Sequence, residues 1–426
     1  MSFFVKVLAV ILVYIPNQLH FPASLGLPGL NVLNVLVIYA YFLYRSQKLE
    51  PSEPDQIKGF LFFYFFMLTS SFVVAQMRIS LDLVTDVTNL KTLIFYPCIY
   101  FLYYHAVRTY DDASKLYLVI LFVAFVAGLE AIREAIDYGI GNYHESKRAS
   151  GPFGVNFYSA NRAGVFYSMF LPYFLAIVFF WKGNVLLKYA GIIGSVTLVA
   201  AIFFTYSRQS YFIAVLAIAY MIFKRRGFVS ILMIIVLALG PLWVPESAMQ
   251  RIEGTEQVSD TGEEKYDEST ESRFILWAAA MDMVAEYPQG IGLNRFKQEI
   301  GNFSIYSGKD AHNFYVLTIA ESNIIGLLAL LLLIFSLWRL GRRVIKLDKS
   351  FTTKVVGHGY TCSVICMALG NIYGSPFASG EVMGCFWAMT ALTARYYWLQ
   401  SKQLIKDERA MPEHEEIIKK KHPVFD

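Results

Sequence analysis

Three short stretches of this sequence carry ionisable side chains at the mouths of long apolar runs. In T-Y-S-R-Q-S-Y, 205–211, Arg208 stands between two such runs. In D-A-H-N-F-Y, 310–315, His312 opens another, and Glu321 follows nine residues later. In G-P-F-G-V-N-F-Y-S-A-N-R-A-G, 151–164, Arg162 leads into a third. Placing an ionisable group at membrane depth is costly, which makes each a candidate for function. Arginine grips phosphate oxygens through a planar, permanently charged fork. A neutral histidine, with an ordinary pKa of about 6.5, takes a proton near neutral pH. Together they describe a site for an anionic lipid headgroup with a proton acceptor beside it. The plainer alternatives are an arginine that snorkels or clamps carbonyls and a histidine in an interfacial aromatic belt.

The elements that must position these groups are membrane spans. Of 426 residues, 56% are hydrophobic and 16% charged, and the mean hydropathy is +0.45. Apolar runs long enough to cross a bilayer exclude a soluble globular enzyme and a single-span anchor. A net charge of +4, scattered along the chain, excludes a nucleic-acid surface. The four cysteines, Cys98, Cys362, Cys366 and Cys385, lie within apolar segments and read as packing, not as a disulfide framework or a metal site. Met1 to Phe21 lacks a small-residue cleavage site and reads as a retained first span.

The apolar runs predict an all-α polytopic membrane protein with about twelve spans: 3–19, 25–44, 59–77, 91–107, 116–136, 163–181, 189–206, 210–223, 228–244, 313–338, 355–373 and 381–399. With the N-terminus inside, 23 of the 37 Lys and Arg fall in inner segments, 13 outside, and Arg395 within the last span. The chain then divides into spans 1–9 over 1–244, a large extracytoplasmic loop over 245–311, spans 10–12 over 312–399 and a cytoplasmic tail over 400–426. Arg208 to Lys224 covers about 24 Å of helix, which sinks Arg208 slightly below the outer surface. Arg162 falls at the outer rim and His312 at or above it. The large loop opens with an acidic stretch, 253–271, read as a solvated flap. It continues as a helix capped by Ser269 or Thr270 and stopped by Pro288, with Phe274, Trp277, Ala278 and Met281 lining one face, as expected for a helix lying against the membrane or the bundle. Arg133, Arg148, Arg251, Arg273 and Arg295 join the outer cations, Arg133 being expected to pair with Glu130.

At this point the sequence resembles the O-antigen ligase and O-antigen polymerase superfamily. The likeness is carried by T-Y-S-R-Q-S at 205–210, by S-R-F-I-L-W and Y-P-Q-G-I-G-L-N-R-F within 272–296, and by A-H-N-F-Y-V-L-T-I-A-E at 311–321. Residues 151–162 match less well, and Ser322-Asn323 stands where many members have a glycine. The resemblance implies a metal-independent, inverting glycosyltransferase with a GT-C-like bundle, needing no cofactor. Its donor would be a glycan on a polyprenyl diphosphate such as undecaprenyl diphosphate, and its acceptor a hydroxyl of lipid A-core or of another lipid-linked repeat unit. Matched motif by motif, His312 is implied as the catalytic residue, with Arg208, Arg273 and Arg162 on the diphosphate. Asn313, Tyr315 and Glu321 are implied as supporting residues. The expected setting is the bacterial inner membrane, with both termini cytoplasmic and the site facing the periplasm. The alternatives are a protein O-oligosaccharyltransferase or, in a different class, a lipid or polysaccharide transporter.

Overall fold

The structure is a computed structural model, which describes residues 2–26, 30–47, 55–78, 82–140, 147–154, 157–225, 227–238, 256–258, 264–266 and 268–421. A helix stands at each of the twelve predicted span positions. They are α1 Phe3–Asn17, α2 Val32–Ser46, α3 Lys58–Arg78, α4 Leu83–Ala106, α5 Tyr110–Tyr138, α6 Phe157–Phe180, α7 Val185–Phe204, α8 Arg208–Lys224 and α9 Phe228–Ala238. After α10, Glu268–Glu286, come α11 Phe314–Ile345, α12 Phe351–Gly370 and α13 Gly380–Lys421. Among the described residues, six segments are long and apolar enough to cross a membrane: Phe3–His20, Lys58–Arg78, Tyr110–Tyr138, Ser159–Phe180, Val185–Phe204 and Phe314–Ile345. The chain is thus a multi-pass helical membrane protein.

Local chemistry fixes where these helices start. The side chains of Asn31, Asp82, Thr109, Asn184 and Ser350 each accept a backbone N–H from the first turn of the helix that follows. Small residues then set how closely the helices pack. Gly191 and Gly194 of α7 admit Ile177 and Phe174 of α6, and Gly380 and Gly384 of α13 admit Tyr96 and Ile15. The centre of the bundle is α6, almost wholly buried among α5, α7, α8 and α12. On the other side α13 lies against α4 and α1, and α11 packs against α3 and α12. Cys362, Cys366 and Cys385 are buried and unbridged.

Within the acidic stretch, the described residues Glu256–Val258 and Glu264–Tyr266 pair as a short antiparallel hairpin. Much of the stretch, Arg251 and the end of the ninth predicted span lie outside the described residues. Helix α10 turns one of its faces to the bundle. Leu276, Ala279, Ala280 and Met283 form its buried face, while Phe274, Ala278 and Met281 look outward. Glu130 faces His20 (Oε1 to Nε2, 3.5 Å) rather than serving as the expected partner of Arg133.

The largest departure from regular helix lies in α11. At Asn323 the backbone turns to φ 61°, ψ −175°, and the helix breaks. This interruption frees carbonyls that must be satisfied where water is scarce. The loop after α10 supplies the donors: Ile291 N–H to the Ala320 carbonyl (3.0 Å) and Gly292 N–H to the Glu321 carbonyl (3.1 Å). Asn323 restarts the helix, its Oδ1 accepting from the N–H of Ile325 (2.7 Å) and Gly326 (3.3 Å). Asparagine tolerates positive φ and caps at once, which accounts for its place where a glycine was expected. A Cβ on Gly290 would stand 2.6 Å from the Glu321 carbonyl oxygen, and one on Gly292 would stand 2.4 Å from Ala75 Cα. Both glycines also have positive φ, so only glycine threads this loop between α3 and α11.

Candidate functional site

His312 sits one residue before the cap of α11. Asn313 Oδ1 accepts the N–H groups of Tyr315 (3.0 Å) and Val316 (3.2 Å) and so starts the helix. The Phe314 N–H reaches across to the carbonyls of Asn371 (2.9 Å) and Gly374 (3.1 Å), in the turn after α12. Trp277 Nε1 of α10 donates to the Ala311 carbonyl at 2.7 Å, and the His312 N–H donates to Asp310 Oδ1 at 3.3 Å. Pinned on both sides, His312 holds φ at 48°, a conformation that costs a non-glycine residue roughly 1–2 kcal/mol. Its ring is half-buried, and burial pulls its pKa below the usual histidine value. Asp310 opposes this shift, whereas Arg273, Lys297 and Lys309 reinforce it. The imidazole is therefore neutral near pH 7 and able to accept a proton.

The turn after α12 is the common anchor of the site. Tyr315 Oη donates to the Ala368 carbonyl at 2.7 Å. From α8, Gln209 Nε2 donates to the carbonyls of Leu369 (3.1 Å) and Gly370 (2.7 Å). From α10, the Arg273 guanidinium lies 5.6 Å from the centre of the Tyr373 ring, which also meets Trp277. Asn371 secures the turn by donating to the Met367 carbonyl and accepting the Phe377 N–H. Arg208, the first residue of α8, follows Tyr206, whose φ is 49°. A Cβ on Gly164 of α6 would stand 2.3 Å from Ser210 Oγ, so α6 and α8 touch there. That contact brings Arg162 and Arg208, each two residues earlier in its chain segment, to the same level.

The structure thus brings His312, Asn313, Tyr315, Arg273 and the Arg208 turn to one end of the bundle. Arg162 reaches the same end but holds Glu381 of α13, Nη1 to Oε1 at 2.6 Å. The Glu321 carboxylate accepts the N–H groups of Arg295 (3.1 Å) and Phe296 (3.2 Å), and its carbonyl accepts Ser71 Oγ (2.8 Å). Two arginines counted among the outer cations are held by protein groups instead. Arg295 is wholly buried against Asp86 of α4, with contacts of 2.6 and 2.8 Å. Arg148 donates to the Thr205 carbonyl (2.8 Å) and Asn161 Oδ1 (2.6 Å).

Sequence reasoning did not identify Gln209, Asp86, Asn371 or Glu381, and it gave Trp277 no contact at the site. Among the described residues, the non-glycine residues with positive φ are Tyr206, Asn294, His312 and Asn323. All four fall in or just beside the three segments that carry the family resemblance, and strained backbone of this kind gathers at functional sites.

A strained histidine and several arginines thus share one end of a helical membrane bundle. Comparison narrows this further. Residues 193–333 match the protein-family model described as O-antigen ligase. The chain therefore resembles the O-antigen ligase and polymerase superfamily over that stretch, and glycan transfer of that general kind is the activity the match supports. Arg208, Arg273, His312, Asn313, Tyr315 and Glu321 lie inside the matched residues, and Arg162 lies outside. No curated protein matches the chain.

Proposed function

We propose that the chain transfers a glycan from a polyprenyl diphosphate carrier, such as undecaprenyl diphosphate, to a hydroxyl acceptor at the extracytoplasmic face of the bacterial inner membrane. The acceptor hydroxyl oxygen attacks the anomeric carbon, and its proton passes to the His312 imidazole. The bond from that carbon to the diphosphate oxygen breaks, with its electron pair leaving on the diphosphate. One displacement inverts the anomeric centre and needs no enzyme nucleophile. Arg208 and Arg273 stabilise the departing charge in a setting of low dielectric, where they act more strongly than in water. Arg162 joins them by exchanging Glu381 for phosphate oxygen. The acceptor is lipid A-core or a lipid-linked repeat unit, both of which carry sugar hydroxyls.

The single observation that carries this reading is His312. It is backbone-strained, half-buried, held neutral and placed beside Arg273, within the residues that match the O-antigen ligases. The reading also takes the chain to cross the membrane twelve times, with both termini in the cytoplasm. Purified protein given a polyprenyl-diphosphate-linked glycan and a hydroxyl acceptor should release polyprenyl diphosphate in step with glycan transferred. Failure to consume the donor with either acceptor counts against it. A Lys265→Cys label should react with a membrane-impermeant reagent before the inner membrane is opened, and labelling only afterwards reverses the topology.

A further inference from the structure

At the end of the bundle remote from His312, three helices direct cations at one buried aromatic spot. Its floor is His358 of α12, stacked on Phe180 of α6 at 4.6 Å, with its Nδ1 3.1 Å from the Tyr220 hydroxyl of α8. The charged groups acting on His358 are Lys224 of α8, Arg342 of α11 and Lys354 of α12. Lys224 Nζ stands 5.6 Å from the centre of the Tyr220 ring, and Arg342 lies beside the Tyr220 hydroxyl. Arg342 also covers the Trp338 ring at 5.8 Å. Among the described residues none of these three cations forms an ion pair, whereas Arg343 next door is engaged by Gln56. Next to the cations the helices carry exposed apolar side chains: Phe223 on α8, and Phe335 and Trp338 on α11.

We infer that this spot binds the phosphodiester headgroup of an anionic phospholipid in the leaflet opposite His312. Ordinary cytoplasmic cations extend into water, where the charge bias alone explains them. Here three positive charges from three helices instead converge on a buried His358 and a half-buried Tyr220 without a carboxylate. A phosphodiester supplies the missing negative charge, Arg342 offers it a fork, and the Tyr220 hydroxyl offers a hydrogen bond. The exposed Phe223, Phe335 and Trp338 favour a lipid over a free anion, since acyl chains cover such a surface and water does not. By joining α8, which starts at Arg208, to α11, which starts after His312, the lipid ties the two arms of the proposed active site at their far ends.

Native mass spectrometry of the full chain, in micelles with equal phosphatidylglycerol and phosphatidylcholine, tests the inference. The wild type should retain phosphatidylglycerol over phosphatidylcholine by about fivefold, consistent with a headgroup held by several charge-assisted contacts. The Arg342→Gln/Lys354→Gln double variant should fall to parity, and the Arg342→Lys/Lys354→Arg variant should recover the preference. If the double variant does not fold, the two single Gln variants carry the test, each lowering the preference. Parity in the wild type overturns the inference, as does a preference unchanged by the Gln substitutions. Millimolar inorganic phosphate should leave the lipid bound; complete displacement would show a site for free anions and overturn the lipid assignment. The readout is lipid retention rather than transfer, so it stands or falls apart from the proposed reaction.

Discussion

Gln209 Nε2 donates to the Gly370 carbonyl at 2.7 Å, fastening the neighbour of Arg208 to the C-terminus of α12. Tyr315, three residues after His312, takes the nearby Ala368 carbonyl at 2.7 Å from the other side. One helix end therefore sets the spacing between the α8 and α11 arms of the site. Helix carbonyls in the last turn lack intrahelical partners, so they are open to this use.

Gln209→Ala should take the side-chain donor from the Gly370 carbonyl and slacken the Arg208 arm. A hydrogen bond of this kind is worth about 1 kcal/mol net, so the fold should survive. The transfer rate should fall roughly tenfold, because misplacement of reacting groups costs more than the bond itself. Melting and kcat measured side by side check this, and an unchanged kcat removes Gln209 from the positioning role.

The Asp86–Arg295 pair should dominate the stability of the loop that follows α10. Both side chains are buried, and Gln76 and Asn294 complete the carboxylate's hydrogen bonds. Asp86→Ala strands a buried guanidinium, and breaking such a pair costs about 3–5 kcal/mol. Thermal melting in detergent should drop accordingly. The Asp86→Leu/Arg295→Met double variant, which buries no charge, should recover much of the loss.

How much of this was legible in the sequence follows from range. The helices were legible because apolar runs declare themselves locally, and His312 and Arg208 stood out because charge interrupts such runs. The pairs Asp86–Arg295 and Arg162–Glu381 were not, since each joins residues more than 200 positions apart. Nor was the anchoring turn after α12, because it acts through backbone carbonyls that any residue supplies. Arg295 and Arg208 look alike in one dimension; only the fold distinguishes the sealed arginine from the half-buried one.

The pH dependence of transfer should report the environment of His312. Burial and Arg273 hold its pKa below the usual value, so the base form is present at neutral pH and is lost as pH falls. The acid limb of kcat/KM should therefore lie below about 6.5, the ordinary histidine value. Arg273→Gln removes a cation that depresses this pKa and should move the limb upward, whatever it does to the maximum rate. Asp310→Asn removes the opposing carboxylate and should move it downward. A limb fixed in both variants would take the proton transfer away from His312.

Arg208→Lys keeps the charge but loses the planar fork. It should retain less than about a tenth of wild-type transfer, a loss near the 1.4 kcal/mol that one misfitted charge-assisted contact costs. Arg208→Ala should lose more and also weaken binding of the donor lipid. Donor affinity and transfer rate, measured with protein abundance matched, separate binding from chemistry. Wild-type behaviour in both variants would make Arg208 a structural residue and move the diphosphate site toward Arg162.

The most direct test is transfer by His312→Ala and His312→Gln with purified protein, lipid-linked glycan donor and acceptor. Neither variant should disturb the fold, because the ring is half-buried and the backbone around it is held by Trp277, Asn313 and the turn after α12. Both should bind the donor as the wild type does, through Arg208 and Arg273, while transfer falls by about 10²–10⁴-fold, the range expected when a general base is removed. Folded, donor-binding variants that still transfer glycan at near wild-type rates would contradict the account.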